Sequence, residues 1–387
     1  MSWSDKEIKY LKTLREETDL DWKEITAEMN EQFTKRRTLN ATRKAYKRYQ
    51  DDELTDDALV KNIKSTHTAR KAASKLRKEN KAIIETLTSF DDVVAAIETL
   101  KKVKLQKPKL KKPLKRSRKK TGMTMEALLS DLHYGLKTKT FNFEVLRERM
   151  RRYTEAFIKS KNREAKNYNI DMLRVLLNGD IIQSATMHKG SHSSCDLTNA
   201  EQIAIAVESI YFDIILPIAE EGLPVEVIGM SGNHDREQAE RYTVDPGKHY
   251  FTWAIYKGVE NLCKAAGLKN VKFEIPLKAY HVYECYGSHF LVEHGDWIKK
   301  ATPEALEQKI MQRSAQVGQI LKGIRIGHFH NDFVGNVGRY IVNASPVSDD
   351  HFGDGLGYVS RPAQLINYYV ECDRDTSYYH SFAVNLS

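Results

Sequence analysis

Five stretches of this 387-residue chain end an apolar run with residue types that bind metal ions or move protons. The run from Val225 to Ile228 leads through Ser231-Gly232 into Asn233-His234-Asp235. Ala127-Leu128-Leu129 leads to Asp131 and His133, and Val175-Leu176-Leu177 to Asn178-Gly179-Asp180. Phe290-Leu291-Val292 leads to His294-Gly295-Asp296, and Ile324-Arg325-Ile326 to Gly327-His328-Phe329-His330. Carboxylates mixed with imidazoles suit Mn, Fe or Zn better than Mg or Ca. Alternate residues of an extended segment point the same way, so Asp131-x-His133 and His328-x-His330 are each expected to reach one centre. Asp180 is a candidate bridging carboxylate, and a bridged pair of metals about 3.5–4 Å apart serves in-line displacement at phosphorus. Taken singly, each stretch reads equally as a polar turn with a solvated histidine. Five of them at expected strand ends point to one site at the carboxyl edge of a sheet.

The elements that must hold these residues are legible from about Gly122 onward. Strands are expected near 125–130, 172–178 and 225–228, with helices over 142–166, 198–219 and 247–266 between and after them. Strands then crowd together near 271–275, 279–286 and 288–293, with Tyr286-Gly287 as a hairpin turn. A helix near 302–322 precedes the strand before His328, and strands near 338–343, 364–371 and 378–386 follow. Such a mixture fits an α/β fold of two packed sheets flanked by helices.

Asp131-x-His133, Gly179-Asp180, Gly232-Asn233-His234-Asp235, His294-Gly295-Asp296 and Gly327-His328-x-His330 together resemble the calcineurin-like metallophosphoesterases. The resemblance covers roughly residues 123–387 and is nearest to the SbcD-type DNA repair nucleases, as is Asn343-Ala344-Ser345-Pro346. It implies a four-layer αββα sandwich and two divalent metal ions, Mn foremost, with Fe or Zn as alternatives. It assigns Asp131, His133, Asp180 and His330 to the first metal, and Asp180, Asn233, His294 and His328 to the second. The metals would activate a water and neutralise phosphate oxygens. His234 would stabilise the transition state or protonate the leaving oxygen, with Asp235 orienting it through its other ring nitrogen. The family often carries another acid or amide shortly after Gly-Asp; here the residues are Ile181-Ile182-Gln183-Ser184. His188 and His192 in the polar insertion that follows, and Arg236 beside Asp235, are candidate substrate contacts; an ordinary polar loop is the alternative.

Composition narrows the setting. With 41% hydrophobic residues the chain can bury a core, and its length allows two domains or more. Cys195, Cys263, Cys285 and Cys372 are scattered, which fits reduced thiols. The first ten residues are charged, so no signal peptide is expected. No continuous apolar run approaches 18 residues, so no membrane span is expected either. A cytoplasmic, intracellular protein is therefore expected. The net charge of +9 is local: residues 101–120 hold ten Lys, two Arg and no acid, and the remainder carries −3. Such a run binds nucleic acid, or serves as a solvated linker.

Three domains are expected: a small all-α three-helix domain over 1–52, a helical spacer and basic linker over 53–120, and the catalytic domain over 121–387. In the first, Ser2 or Ser4, then Asp19 to Asp21, then Thr38 are expected helix caps. Ile8, Leu11, Leu14, Trp22, Ile25, Met29 and Tyr46 face inward. Arg43, Lys44, Lys47 and Arg48 form a basic face on the third helix, with Arg36 and Arg37 ahead of it, the layout of a helix-turn-helix reader. Trp3, Trp22 and Arg37-Thr38 resemble Myb/SANT-like domains, some of which dock proteins instead of DNA; the third aromatic is a tyrosine here. The expected function is a metal-dependent phosphodiesterase, a DNA nuclease whose substrate the N-terminal helices recruit. The alternative is a phosphatase or cyclic-nucleotide phosphodiesterase acting on small molecules. Homodimerisation through the spacer is left open, and the partner ATPase that the resembled nucleases have is not visible in the sequence.

Overall fold

The computed structural model describes residues 3–49, 107–112, 115–187, 191–237, 245–347, 361–372 and 377–387. The helical spacer expected over 58–100 lies outside them. The chain divides into two compact units, Met1–Thr86 and Leu87–Ser387.

The first unit holds α1 (Asp5–Glu17), α2 (Trp22–Gln32) and α3 (Leu39–Tyr49). Ser4 and Asp21 each close a capping box, with Glu7 and Glu24 answering three residues on, which satisfies amides that a helix start leaves open. Thr38 Oγ1 accepts the N–H of Ala41 at 3.3 Å. Leu11, Leu14, Ile25, Met29 and Ala45 form the shared apolar centre.

The second unit begins with β1 (Gly122–Leu129), α4 (Phe143–Glu164) and β2 (Asn169–Asn178). A long helix, α5 (Asn199–Ala219), contains a π-helical turn over Ile210–Ile215. It is the one described helix long and apolar enough to cross a membrane, yet 67% of its apolar window is buried inside this unit, as a core helix would be; Glu208 and Asp213 interrupt its apolar run. Next come β3 (Val225–Met230), α6 (Phe251–Ala265), β4 (Val271–Glu274), β5 (Tyr280–Cys285), β6 (Ser288–Glu293), α7 (Pro303–Val317) and β7 (Leu321–Ile326). The last strands are β8 (Phe333–Gly335), β9 (Tyr340–Val342), β10 (Ala363–Val370) and β11 (Tyr378–Asn385).

One sheet runs β11-β10-β1-β2-β3-β4 and the other β5-β6-β7-β9-β8. β1 to β4 are parallel, and so are β6, β7 and β9. Neighbouring residues along one strand serve different layers, as the period of two demands. Leu128, Leu176 and Ile228 join Tyr283, Phe290, Val292 and Ile341 from the other sheet. Ala127, Val175 and Val227 join Phe157, Ile214 and Ile255 from the helices. On the second sheet, Leu291, Ile324 and Ile326 meet Leu306 and Ile310 of α7.

Three details differ from the sequence reading. The helix expected to reach 322 stops at Val317, because Gly318 takes a left-handed φ of 69° and caps it. β8 was not anticipated; it is three residues long and half-exposed, too short to show a period. The end of the basic linker is not free: Lys111 donates its backbone N–H to Glu220 O at 2.8 Å and its Nζ to Glu221 at 2.6 Å. Arg116 pairs with Glu371 at 2.7 Å, and Lys120 Nζ reaches Ala165 O at 2.8 Å. These acids lie far away in sequence, so no local pattern reveals the pairing.

Candidate metal centre

All the candidate ligands leave the carboxyl ends of parallel strands: Asp131 and His133 after β1, Asp180 after β2, Asn233 after β3, His294 after β6, and His328 and His330 after β7. The strands cannot do this with ordinary backbone. Of the ten described non-glycine residues with positive φ, five are Asp131, His133, Asp180, His328 and His330, at 50–68°. Strain of this kind persists where the surroundings hold it and gathers at functional sites. It also corrects the sequence argument: Asp131 and His133 reach one group through left-handed turns, not through the alternation of an extended segment, and His328 and His330 go to different groups. Close approach depends on glycine. A Cβ on Gly232 would stand 2.3 Å from Asp180 Oδ1, and one on Gly179 2.6 Å from the Gly232 nitrogen.

Two groups of side chains result. Asp131, His133 and His330 bring their ligand atoms together, and so do Asp180, His294 and His328; Asp180 also closes a third group with His133 and His234. His133 Nε2 and His330 Nε2 are 3.2 Å apart, His330 Nε2 is 3.5 Å from Asp131 Oδ1, and His294 Nε2 is 3.1 Å from Asp180 Oδ2. The rings of His294 and His328 lie 5.3 Å apart.

The protonation states of His133 and Asp180 suit cation ligands, while at His294 a cation would take the place of a proton. Burial, and then the neighbouring His234, hold the pKa of His133 down to about 3, so its ring is neutral and keeps a lone pair. Burial opposes charge on Asp180, but His294 and His234 hold its carboxyl well below the usual range. Burial likewise opposes charge on His294, and Asp180 overrides it, raising that imidazole well above its ordinary value. Among the described residues, His133 Nδ1, Asn233 Oδ1 and His294 Nε2 are buried with no hydrogen-bond partner; the 3.1 Å approach of His294 to Asp180 is an ion-pair distance without hydrogen-bond geometry. Buried polar atoms are nearly always satisfied. Unpartnered buried atoms on three candidate ligands fit divalent cations, with imidazole and carboxylate as the donor set.

Fixed groups surround the ligands. His294 Nδ1 bonds the carbonyl of Asn178 at 2.8 Å, which leaves Nε2 for the site. His234 Nδ1 bonds the carbonyl of Gln183 at 2.9 Å. This corrects the expected role of Asp235, whose carboxylate accepts the backbone N–H groups of Asp180, Ile181, Ile182 and Gly232 at 2.7–3.2 Å. Asp235 therefore pins the β2 loop to the β3 loop instead of orienting His234. Burial and Asp180 push its carboxyl up to about 7, although four converging N–H donors favour the ionised form. Arg236 is 4% exposed and donates Nε to Asn233 O at 2.8 Å, so it positions a ligand loop and is not an exposed substrate contact. His192 is exposed in a 3₁₀ turn over Ser191–Ser194, and His188 lies outside the described residues. Sequence reasoning missed Gln183, which acts through its carbonyl and leaves no side-chain signal. Asn343 was noticed only as part of a motif: its amide bonds Leu128 O, Ser130 and Gln364 and so fixes the β1 loop from behind.

In the first unit Arg36, Arg43, Lys44, Lys47 and Arg48 are exposed. Arg37 is not: it is 7% exposed, pairs with Glu7 at 2.6 Å and stacks over Trp3 at 4.3 Å. It holds the three helices together, and the expectation that it contacts DNA is withdrawn.

No family model matches the sequence, and no curated relative does. Similar solved structures include a novel archaeal phosphodiesterase, 10% identical over 67% of this chain and 99% of that one, with a TM-score of 0.30. A Vps29 from Entamoeba histolytica complexed with zinc is 12% identical over 68% and 99%, at 0.29. A predicted phosphoesterase of Streptococcus pneumoniae is 13% identical over 68% and 98%, at 0.26. Likeness at this level says nothing about metal, substrate or partner.

Proposed function

We propose that the second unit is a two-metal phosphodiesterase of the calcineurin-like type, built as an αββα sandwich, and that its substrate is a nucleic acid recruited by the first unit. One observation carries the catalytic reading: Asp180 belongs at once to a group with His133 and to a group with His294 and His328. A single carboxylate shared by two ligand sets is what a bridged pair of cations requires. Asp131, His133 and His330 would hold the first ion and Asn233, His294 and His328 the second. Bound there, the pair supplies Lewis acidity and an activated water for displacement at phosphorus.

The chain's own groups do the rest. Asp180 Oδ1 accepts the backbone N–H of His234 at 2.7 Å, which seats the imidazole at the rim of the site. Gln183 O holds Nδ1 as the protonated nitrogen, so Nε2 is the atom that meets the substrate. When protonated it donates to the leaving oxygen, as a positioned general acid does. The exposed cations of α3 favour a nucleic acid over a small ester, because a small substrate has no use for a separate basic helix.

The test is a substrate panel. Purified protein with Mn is incubated with single-stranded DNA, duplex DNA, RNA, a cyclic nucleotide and a phosphomonoester. Cleavage of polynucleotides is expected. Turnover confined to the monoester or the cyclic nucleotide would replace the nuclease reading, and no metal-dependent turnover at all would remove the catalytic one.

A further inference from the structure

The loop that carries His294 continues into Trp297, which is 49% exposed. Trp297 lines a small cleft with Ser231 and Gly232, of the loop that carries Asn233, and with Asp296. It also lines a groove of about 470 Å³ walled by Lys299, Lys300 and, from α7, Gln308 and Gln312. The indole is thus the step between the metal-centre loops and a second, larger space. Lys299 and Lys300 are exposed. Lys309, also on the wall, faces Glu293 at 3.8 Å and is not counted as available. The acids nearby are Asp296, at the cleft end, and Glu293, beside Lys309.

An aromatic face next to exposed ammonium groups is the chemistry of single-stranded nucleic-acid binding. Every base has a π-face to stack, and cations track the backbone. The groove lies within the size range of pockets that hold compact organic ligands. Amide side chains along its wall offer both donors and acceptors.

We propose that this groove is the path of a single polynucleotide strand: a base beside the scissile phosphate stacks on Trp297, and the next phosphates pass Lys299 and Lys300. The assignment rests on the phosphodiesterase reading above and names where its polymeric substrate lies. It also sets a preference, since a strand must be unpaired to lay a base on the indole.

The experiment uses the full chain loaded with Mn and two probes, fluorescein-labelled dT12 and bis-(p-nitrophenyl) phosphate, which has no base. Trp297→Ala, Trp297→Tyr and the double variant Lys299→Ala/Lys300→Ala are compared with the wild type. For Trp297→Ala, kcat/KM on dT12 is expected to fall by about 5–150-fold, the worth of one stacked base. That loss should exceed the loss on the small diester at least tenfold by rough estimate and should recover in Trp297→Tyr. The lysine pair should flatten the salt dependence of dT12 binding, read by anisotropy, by about 0.7 in logarithmic slope per phosphate contact removed. Equal losses on both probes, or dT12 cleavage untouched by Trp297→Ala, would overturn the path. A wild type that turns over the small diester but neither binds nor cuts dT12 would overturn it too. A wild type that hydrolyses neither probe removes the phosphodiesterase reading itself.

Discussion

Asp180 presents Oδ2 to Nε2 of His294 at 3.1 Å while its Oδ1 takes the backbone N–H of His234 at 2.7 Å. Both oxygens are therefore directed by neighbours, and the carboxylate cannot turn to serve one side alone. Replacing it with Asn removes the charge and gives one face a donor. Asp180→Asn is expected to lower the occupancy of both metals together. His133→Ala, which strips a ligand from the first group, should lower mainly one. Metal content by plasma mass spectrometry on both variants checks this. Full occupancy in Asp180→Asn would remove the bridging role.

His234 sits beside His133, ring centroids 4.8 Å apart, and belongs to a group with it and Asp180. Proximity alone would make it a ligand; the function proposed above makes it the proton donor, with Nδ1 held on Gln183 O. His234→Gln is expected to keep both metals and to lose about 10²–10⁴-fold in hydrolysis, the usual worth of general acid catalysis. Metal lost in step with activity would make His234 a ligand.

The strand ends were legible in the sequence because buried parallel strands are short apolar runs, and the ligands follow them directly. The caps at Ser4, Asp21 and Thr38 were equally local. What was not legible involves partners distant in sequence. Asp235 reads as the natural partner of the adjacent His234, yet its four amides come from 180–182 and Gly232, across a fold that no spacing records. Arg37 reads as one more cation of a basic helix until Glu7 and Trp3 close on it. The left-handed backbone of Asp131 and His133 is imposed by tertiary contacts, since neither residue type demands it.

Glu307 on α7 meets Arg339 through two hydrogen bonds at 2.7 Å and takes the Tyr340 hydroxyl at 2.7 Å, tying the helix to β9. The Arg339 hydrogen bonds, opposed by burial and aided by Tyr340, bring the carboxyl from 4.5 down to about 2. A depressed carboxylate stabilises the fold fully above its unfolded value and ceases to do so as pH falls through its folded value. The stability advantage of the wild type over Glu307→Gln is thus expected to be constant above about pH 5 and to shrink between pH 4.5 and 2. Urea titrations across that range check it, and a difference that grows on acidification would contradict the assignment.

Between the sheets lies a charged cluster that an apolar core rarely tolerates. Glu126 is 0% exposed and accepts from Asn367 at 2.8 Å and Tyr369 at 3.1 Å. Arg174 stands 3.7 Å away, and Arg325 bonds the same Tyr369 hydroxyl at 3.0 Å. Removing one partner of a buried ion pair leaves an uncompensated charge, at a cost of about 3–5 kcal/mol. Glu126→Leu is expected to destabilise the second unit by about that much, measured as a shift in denaturation midpoint. A change near zero would mean that Glu226, 2.8 Å from Arg174, neutralises the cluster alone.

Arg37 and Lys47 separate two meanings of a basic helix. Lys47 is exposed on α3 with Arg43, Lys44 and Arg48, while Arg37 is enclosed by Glu7 and Trp3. Cations that touch phosphates release counterions, and each contact removed lowers the salt slope for duplex DNA by about 0.9. Lys47→Ala in the full chain is expected to weaken duplex binding and to flatten that slope by about one contact. Turnover of bis-(p-nitrophenyl) phosphate, whose ligands lie in the second unit, should stay at the wild-type rate. Arg37→Ala should instead melt the three helices at a lower temperature, because it leaves Glu7 buried without its partner, and any loss of DNA binding should follow that melting. Binding isotherms from 50 to 200 mM salt by rough choice, with a thermal melt of each variant, distinguish the two. An unchanged slope in Lys47→Ala and in the matching Arg43, Lys44 and Arg48 variants would mean that α3 presents its charge to something other than DNA.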